Sequence, residues 1–249
     1  MKYISTRNNS KEHSFEEVFI KGLADDGGLF IPKEIKKYTQ EELNSLSELS
    51  YQDLAKKIIY PFIGDFMPES ELSLIIDKSY STFRKKNVVD LIKLGDTKVL
   101  ELFHGPTLAF KDIGAKFMAS CLDFFKDSYT SKKITVLVAT SGDTGGAVAK
   151  GFSDTKDIDV CILYPKGKIS KVQEKQITTN GSYVQAIEVE GDFDMCQSMV
   201  KRAFSDEEIN RKIALTSANS INVARWLPQM FYFFLAYKKI KNTKQNIFS

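Results

Sequence analysis

A single lysine stands at the joint between a Gly-Pro turn and an apolar helical pattern in FHGPTLAFKDIGAKFMASCLDFF, residues 103–125. The neighbours of Lys111 are Ala109, Phe110 and Ile113. Apolar surroundings and the positive end of a helix dipole both disfavour an ammonium. The neutral amine is the form that attacks a carbonyl carbon to make an imine. Lys111 is therefore a candidate for covalent chemistry, set against the plainer reading of a solvated lysine. His104 reads as a turn residue supporting this loop.

Two Ser/Thr-rich turns could serve such a lysine. ATSGDTGGA, residues 139–147, carries Gly142 and Gly145 where a backbone must approach closely, with hydroxyls on Ser141 and Thr144. A helix start of this kind presents free amides and a positive dipole end to an anion. The stretch matches neither the P-loop nor the dinucleotide fingerprint. Asp143 would repel a plain phosphate and suits an amine, a hydroxyl or a backbone cap. SANSINVAR, residues 217–225, crowds Asn219, Ser220 and Asn222 into a second turn and places Arg225 about one helical turn inside. A guanidinium there can grip phosphate or carboxylate at two points. The two turns echo each other 76 residues apart, from Thr140-Ser141 to Thr216-Ser217. The residues alone leave two bland alternatives open: a structural turn at 141–145, and a capped helix with a solvated Arg225.

These pieces need a scaffold. Strand patterns at 134–139, 158–163, 183–189 and 212–216 alternate with helical ones at 111–127, 145–152, 168–178, 192–204 and from about 221. That rhythm predicts a mainly parallel open sheet with crossover helices. Pro228 predicts a kink near residue 224. Residues 1–100 read differently, with helices at 14–23, 50–64 and 68–83 and a hairpin around Gly95-Asp96. The expected division is 1–100 and 101–249, an α/β fold with a helical N-terminal region. The lysines at 166, 168, 171 and 175 read as a solvated helix face, and Phe231 to Phe234 as core.

Composition excludes several classes. The 249 residues carry 35 basic and 32 acidic side chains, a net charge of +3, which does not point to nucleic acid. Three scattered cysteines and two histidines give no metal site and suit a reducing compartment. No apolar run spans a bilayer, and the N-terminus lacks the apolar core of a signal peptide. The expectation is a cytoplasmic protein with no membrane, nucleic-acid or metal partner, as a monomer or homodimer.

ELFHGPTLAFKD, ATSGDTGGA, YPKGKISKVQEKQ and SANSINVARWLPQ, in this order and spacing, resemble the threonine synthase family, as do KYISTRN and GLADDGGLFIP near the start. The resemblance implies a fold-type-II, tryptophan-synthase-β-like enzyme using pyridoxal 5′-phosphate. It implies a Lys111 that carries the cofactor as an internal aldimine and later moves substrate protons, with Phe110 and Asp143 beside the cofactor. It implies conversion of O-phospho-L-homoserine and water to L-threonine and phosphate. Residues 141–145 then take the substrate carboxylate, while Asn219, Ser220, Asn222 and Arg225 take its phosphate. Family members continue after KQNIFS into a Gly/Asn-rich loop for the cofactor's phosphate, so the expectation is a truncated chain with the large domain incomplete. Two other readings stand beside this one: another fold-type-II lyase (dehydratase or β-replacement), or a non-catalytic ligand-binding fragment.

Overall fold

The computed structural model describes residues 1–129 and 132–240. The first hundred residues form β1 (Tyr3–Ser5), α1 (Phe15–Lys21), β2 (Phe30–Pro32), α2 (Gln40–Ser45), α3 (Tyr51–Ile63), α4 (Glu69–Tyr80), β3 (Asp90–Leu94) and, to residue 101, β4 (Thr97–Glu101). Then come α5 (Lys111–Tyr129), β5 (Ile134–Ala139), α6 (Asp143–Phe152), β6 (Ile158–Pro165), α7 (Lys171–Thr178), β7 (Val184–Val189), α8 (Phe193–Ser205), α9 (Glu207–Lys212), β8 (Ala214–Ser217), α10 (Val223–Trp226) and α11 (Met230–Ile240).

Local chemistry sets the helix starts. Ser14, Thr39, Ser50 and Ser170 each accept the amide three residues on, and Thr39 with Glu42 closes a capping box. Pro228 corrects one expectation. The helix from 221 is not one kinked rod; it breaks into α10, a 3₁₀ turn at Leu227–Gln229, and α11. Proline has no N–H for the helical ladder and crowds the preceding turn, so the chain restarts beyond it. The segment 244–249 lies outside the described residues. Phe231 and Tyr232 are core, whereas Phe233 is exposed.

Strands β7-β6-β5-β8 form one parallel sheet in that order. Side chains alternate between its faces. Ile134, Val136 and Val138 join Ile158, Val160 and Ile162 beneath α5 and α6. Leu137, Ala139, Leu163 and Val189 face Cys196 and Val200 of α8. Burying each Val, Leu or Ile among them stabilises by about 1.5–3 kcal/mol. The first core runs without interruption into the N-terminal region through Tyr3, Phe19, Leu54 and Phe62, with Phe66 stacked on Phe125 at 3.8 Å. The hairpin β3-β4 and the pair β1-β2 are separate two-stranded sheets.

The strand order locates the crevice. From β5 the chain moves to β6 and β7 on one side, then places β8 on the other. Helices leaving β5 and β8 therefore diverge, and a gap opens beyond the carboxyl ends of those two strands.

Candidate active site

Three segments meet at that gap: the loop entering α5, the β5–α6 turn and the β8–α10 turn. The first is held by Asp112. Its carboxylate accepts the Thr107 amide at 2.9 Å and the Thr107 hydroxyl at 2.6 Å. Gly105 is required here, since a Cβ on it would lie 2.3 Å from Asp112 Oδ2. Leu108 takes a positive φ of 63°, a conformation unfavourable to a branched side chain, and the Asp112 bonds maintain it. Burial pushes the Asp112 carboxyl up, while the Thr107 bonds oppose the rise. His104 is buried, with Nε2 2.9 Å from Glu101 Oε2, at the base of this loop.

Lys111, one-fifth exposed, projects from the first turn of α5, and its Nζ donates to Asp143 Oδ2 at 2.6 Å. The same nitrogen lies 4.4 Å from the Phe110 ring centre. Burial would raise the Asp143 carboxyl, but the hydrogen bond and charge of Lys111 hold it below its ordinary value. Asp143 Oδ1 accepts the Thr144 amide at 2.9 Å, which fixes the carboxylate toward the lysine.

The β5–α6 turn is organised by Thr140, a residue the sequence reading left without a role. Its buried hydroxyl accepts the amides of Gly142 at 2.9 Å and Gly145 at 2.8 Å. Gly142 adopts φ 135° and faces Gln173, where a Cβ would meet the amide at 2.5 Å. Gly145 is packed against Thr140 and Ile177. Ser141 is exposed and Thr144 half-buried. Gln176 of α7 donates to the Thr107 carbonyl at 3.4 Å, tying this region to the lysine loop. A Thr preceding a Ser-Gly pair and an acid directly after the lysine were the available signals for Thr140 and Asp112.

The β8–α10 turn is bolted to its surroundings. β8 pairs with β5 only as far as Leu137 and Ser217. Beyond that point the Asn219 side chain continues the ladder, donating to the Ala139 carbonyl at 2.8 Å and accepting its amide at 3.2 Å. Asn222 caps α10 at the Ala224 amide, 2.9 Å, and donates to the Phe19 carbonyl of α1 at 2.8 Å. Ser220 is exposed. Arg225 is fully buried, not solvated, and its Nε and both Nη atoms have no hydrogen-bond partner among the described residues. Its backbone carbonyl presses on Gly114, where a Cβ would lie 2.2 Å away. Burial pulls the Arg225 guanidinium down to about 10, against the charges of Asp112 and Asp143.

The structure therefore joins Lys111, Phe110, Asp143 and Thr144 directly and brings Arg225 within electrostatic reach through Asp143. The amides of Asn219 and Asn222 are spent on the scaffold. Among the described residues no group of three or more His, Cys, Asp or Glu could hold a metal ion.

Comparison with known proteins places the chain in a family. The family described as threonine synthase N terminus matches residues 2–80, and the family described as pyridoxal-phosphate dependent enzyme matches residues 99–231. Threonine synthase of Saccharomyces cerevisiae is 45% identical, covering 98% of this chain and 51% of its own length. That of Escherichia coli is 39% identical over 99% of this chain and 56% of its own. The solved structure of PLP-bound threonine synthase from Brucella melitensis superposes with a TM-score of 0.89 at 38% identity, covering 99% of this chain and 53% of that one. The yeast threonine synthase structure gives 0.88 at 43% identity, covering 98% and 51%. The chain spans about half the length of the curated relatives it matches. With a lysine at the mouth of a parallel-sheet crevice and matches over nearly all its residues, the chain belongs to the pyridoxal-phosphate dependent enzyme family.

Proposed function

We propose that the chain carries the lysine-bearing half of a threonine synthase site, which converts O-phospho-L-homoserine and water to L-threonine and phosphate. The observation that carries this reading is the Lys111–Asp143 pair at the sheet's switch point, with the unpartnered Arg225 buried nearby. The residues present fit pyridoxal phosphate. Lys111 offers a primary amine that is neither solvated freely nor sealed in the core, and the Phe110 ring lies alongside it. When bound, the cofactor supplies an electron sink for the substrate's α-carbon.

The chain's own groups then divide the work. Lys111 would hold the cofactor through Nζ, and the same amine is placed to move a proton at the substrate carbons. Asp143 fixes Nζ at the crevice before the cofactor arrives, since a charge-assisted bond of 2.6 Å leaves it little freedom. The Gly142 and Gly145 amides are taken by Thr140. Binding of the substrate carboxylate therefore falls to the Ser141 and Thr144 hydroxyls, while the two glycines keep the turn free of side-chain bulk. Arg225, with Ser220 at the turn's surface, binds the substrate phosphate. Asn219 and Asn222 hold that turn in register with β5 and α1. Water has to be kept from the reacting carbon until phosphate leaves, a task suited to closure over the crevice. No helix among the described residues is long and apolar enough to cross a membrane.

Incubation with pyridoxal phosphate, borohydride reduction and peptide mapping test the assignment. A pyridoxyl group on the Lys111 peptide, absent after Lys111→Ala, is expected. Labelling confined to other lysines, or none, would overturn it.

A further inference from the structure

A second polar cleft, about 150 Å³ in volume, opens where the ends of α4 and α6 meet the middle of α5. Lys78, Ser81, Lys116, Ser120, Asp154 and Thr155 line it. Lys116 lies five residues after Lys111. At 3.6 residues per turn that is about 140° around α5, so the cleft opens on a different side of the helix.

The charges in this cleft are incompletely matched. Lys78 is engaged by Asp123 at 2.7 Å. Lys116 is only 7% exposed, yet its ammonium makes no hydrogen bond or ion pair with any described residue. Asp154 stands on the exposed rim, and its carboxylate accepts only from Ser153 Oγ, at 3.3 Å, among the described residues. Burial pulls the Lys116 amine down, Asp154 and Asp112 act against that, and Lys150 and Lys78 add to it. The Lys116 ammonium is not among the side-chain atoms shut off from solvent, so it faces the open cleft, where a ligand oxygen can reach it.

The pattern selects the ligand. A simple anion would meet Lys116 but also the Asp154 carboxylate. A simple cation would meet the reverse. A molecule with a carboxylate at one end and an ammonium at the other satisfies both. We propose that this cleft binds a small zwitterionic α-amino acid, its carboxylate on Lys116 and the Ser120 hydroxyl and its ammonium on Asp154. The volume agrees, since a cavity of about 150 Å³ holds a six-carbon ring, and serine or threonine has similar bulk. The inference does not rest on the reading of the Lys111 site.

Calorimetry and ligand-observed NMR on the full chain test it, with glycine, L-serine, L-threonine, N-acetyl-L-threonine and inorganic phosphate as probes. L-serine or L-threonine should bind the wild type and Lys111→Ala alike. Lys116→Met, which keeps the apolar stem, should weaken binding at least tenfold, and Asp154→Asn severalfold. N-acetyl-L-threonine, lacking the ammonium, should bind the wild type no better than L-threonine binds Asp154→Asn. Four results would each overturn the proposal: no amino-acid binding at millimolar concentration, binding lost in Lys111→Ala but kept in Lys116→Met, phosphate binding as tight as the amino acids, or equal affinity for the acetylated compound.

Discussion

The β5–α6 and β8–α10 turns leave adjacent strands with kindred sequences, Thr-Ser-Gly-Asp at 140–143 and Thr-Ser-Ala-Asn at 216–219. In the first, the Thr140 hydroxyl caps two amides and the acid points outward to Lys111. In the second, the Thr216 hydroxyl has no hydrogen-bond partner among the described residues, and the two asparagines turn inward to β5 and α1. The glycine permits the difference. Gly142 at φ 135° swings its turn over the crevice, whereas Ala218 is fully buried. Like motifs at the carboxyl ends of two adjacent strands are thus divided between a face turned to Lys111 and a brace that carries one buried arginine.

Substitutions should separate the two roles. The largest effect on stability is expected at the brace. Asn222→Ala removes a helix cap and leaves the Phe19 carbonyl unpaired in the core, roughly 2–4 kcal/mol in total. Urea unfolding should show this as a lower midpoint with an unchanged slope, and a loss within 0.5 kcal/mol of zero would dissolve the contrast. Arg225→Met should do the opposite. Replacing a buried, unpaired charge by an apolar chain of similar length is neutral or stabilising. Affinity for O-phospho-L-homoserine should nevertheless fall about ten- to a hundredfold, the range of a hydrogen bond to a charged group. A lower unfolding midpoint with unchanged affinity would move Arg225 into the brace. Thr140→Val leaves the buried Gly142 and Gly145 amides without their acceptor and should cost about 1–3 kcal/mol. Its signature should be faster hydrogen exchange at Gly142 and Gly145; protection equal to wild type would mean that Thr140 does not organise the turn.

Much of this architecture was legible in the chain. The run ITVLVA at 134–139 is strand β5 residue for residue, and Ser14 caps α1 as its position suggested. What escaped was short or depended on partners far away. β1 is three residues that make sense only against β2, and α9 has a single apolar residue in its centre, Ile209, and relies on Asp206 accepting two amides. At the site, Lys111 and Asp143 were recognisable by type, but their 2.6 Å approach follows from a strand order that local sequence does not encode. Arg225 looked like a surface grip because its solvation depends on α1 and α5 covering α10. Thr140 was hidden by its ordinariness, one hydroxyl among several in a turn.

The bond from Asn222 to Phe19 joins groups 203 residues apart. A ribosome adding about 5–20 residues per second leaves the Phe19 carbonyl without its native donor for roughly 10–40 s. The opening helix of this chain is thus finished by a strand-to-helix connection made long after it. A nascent chain shorter than that connection can pack its first helix on α3 and Phe66 but leaves the Phe19 carbonyl to water.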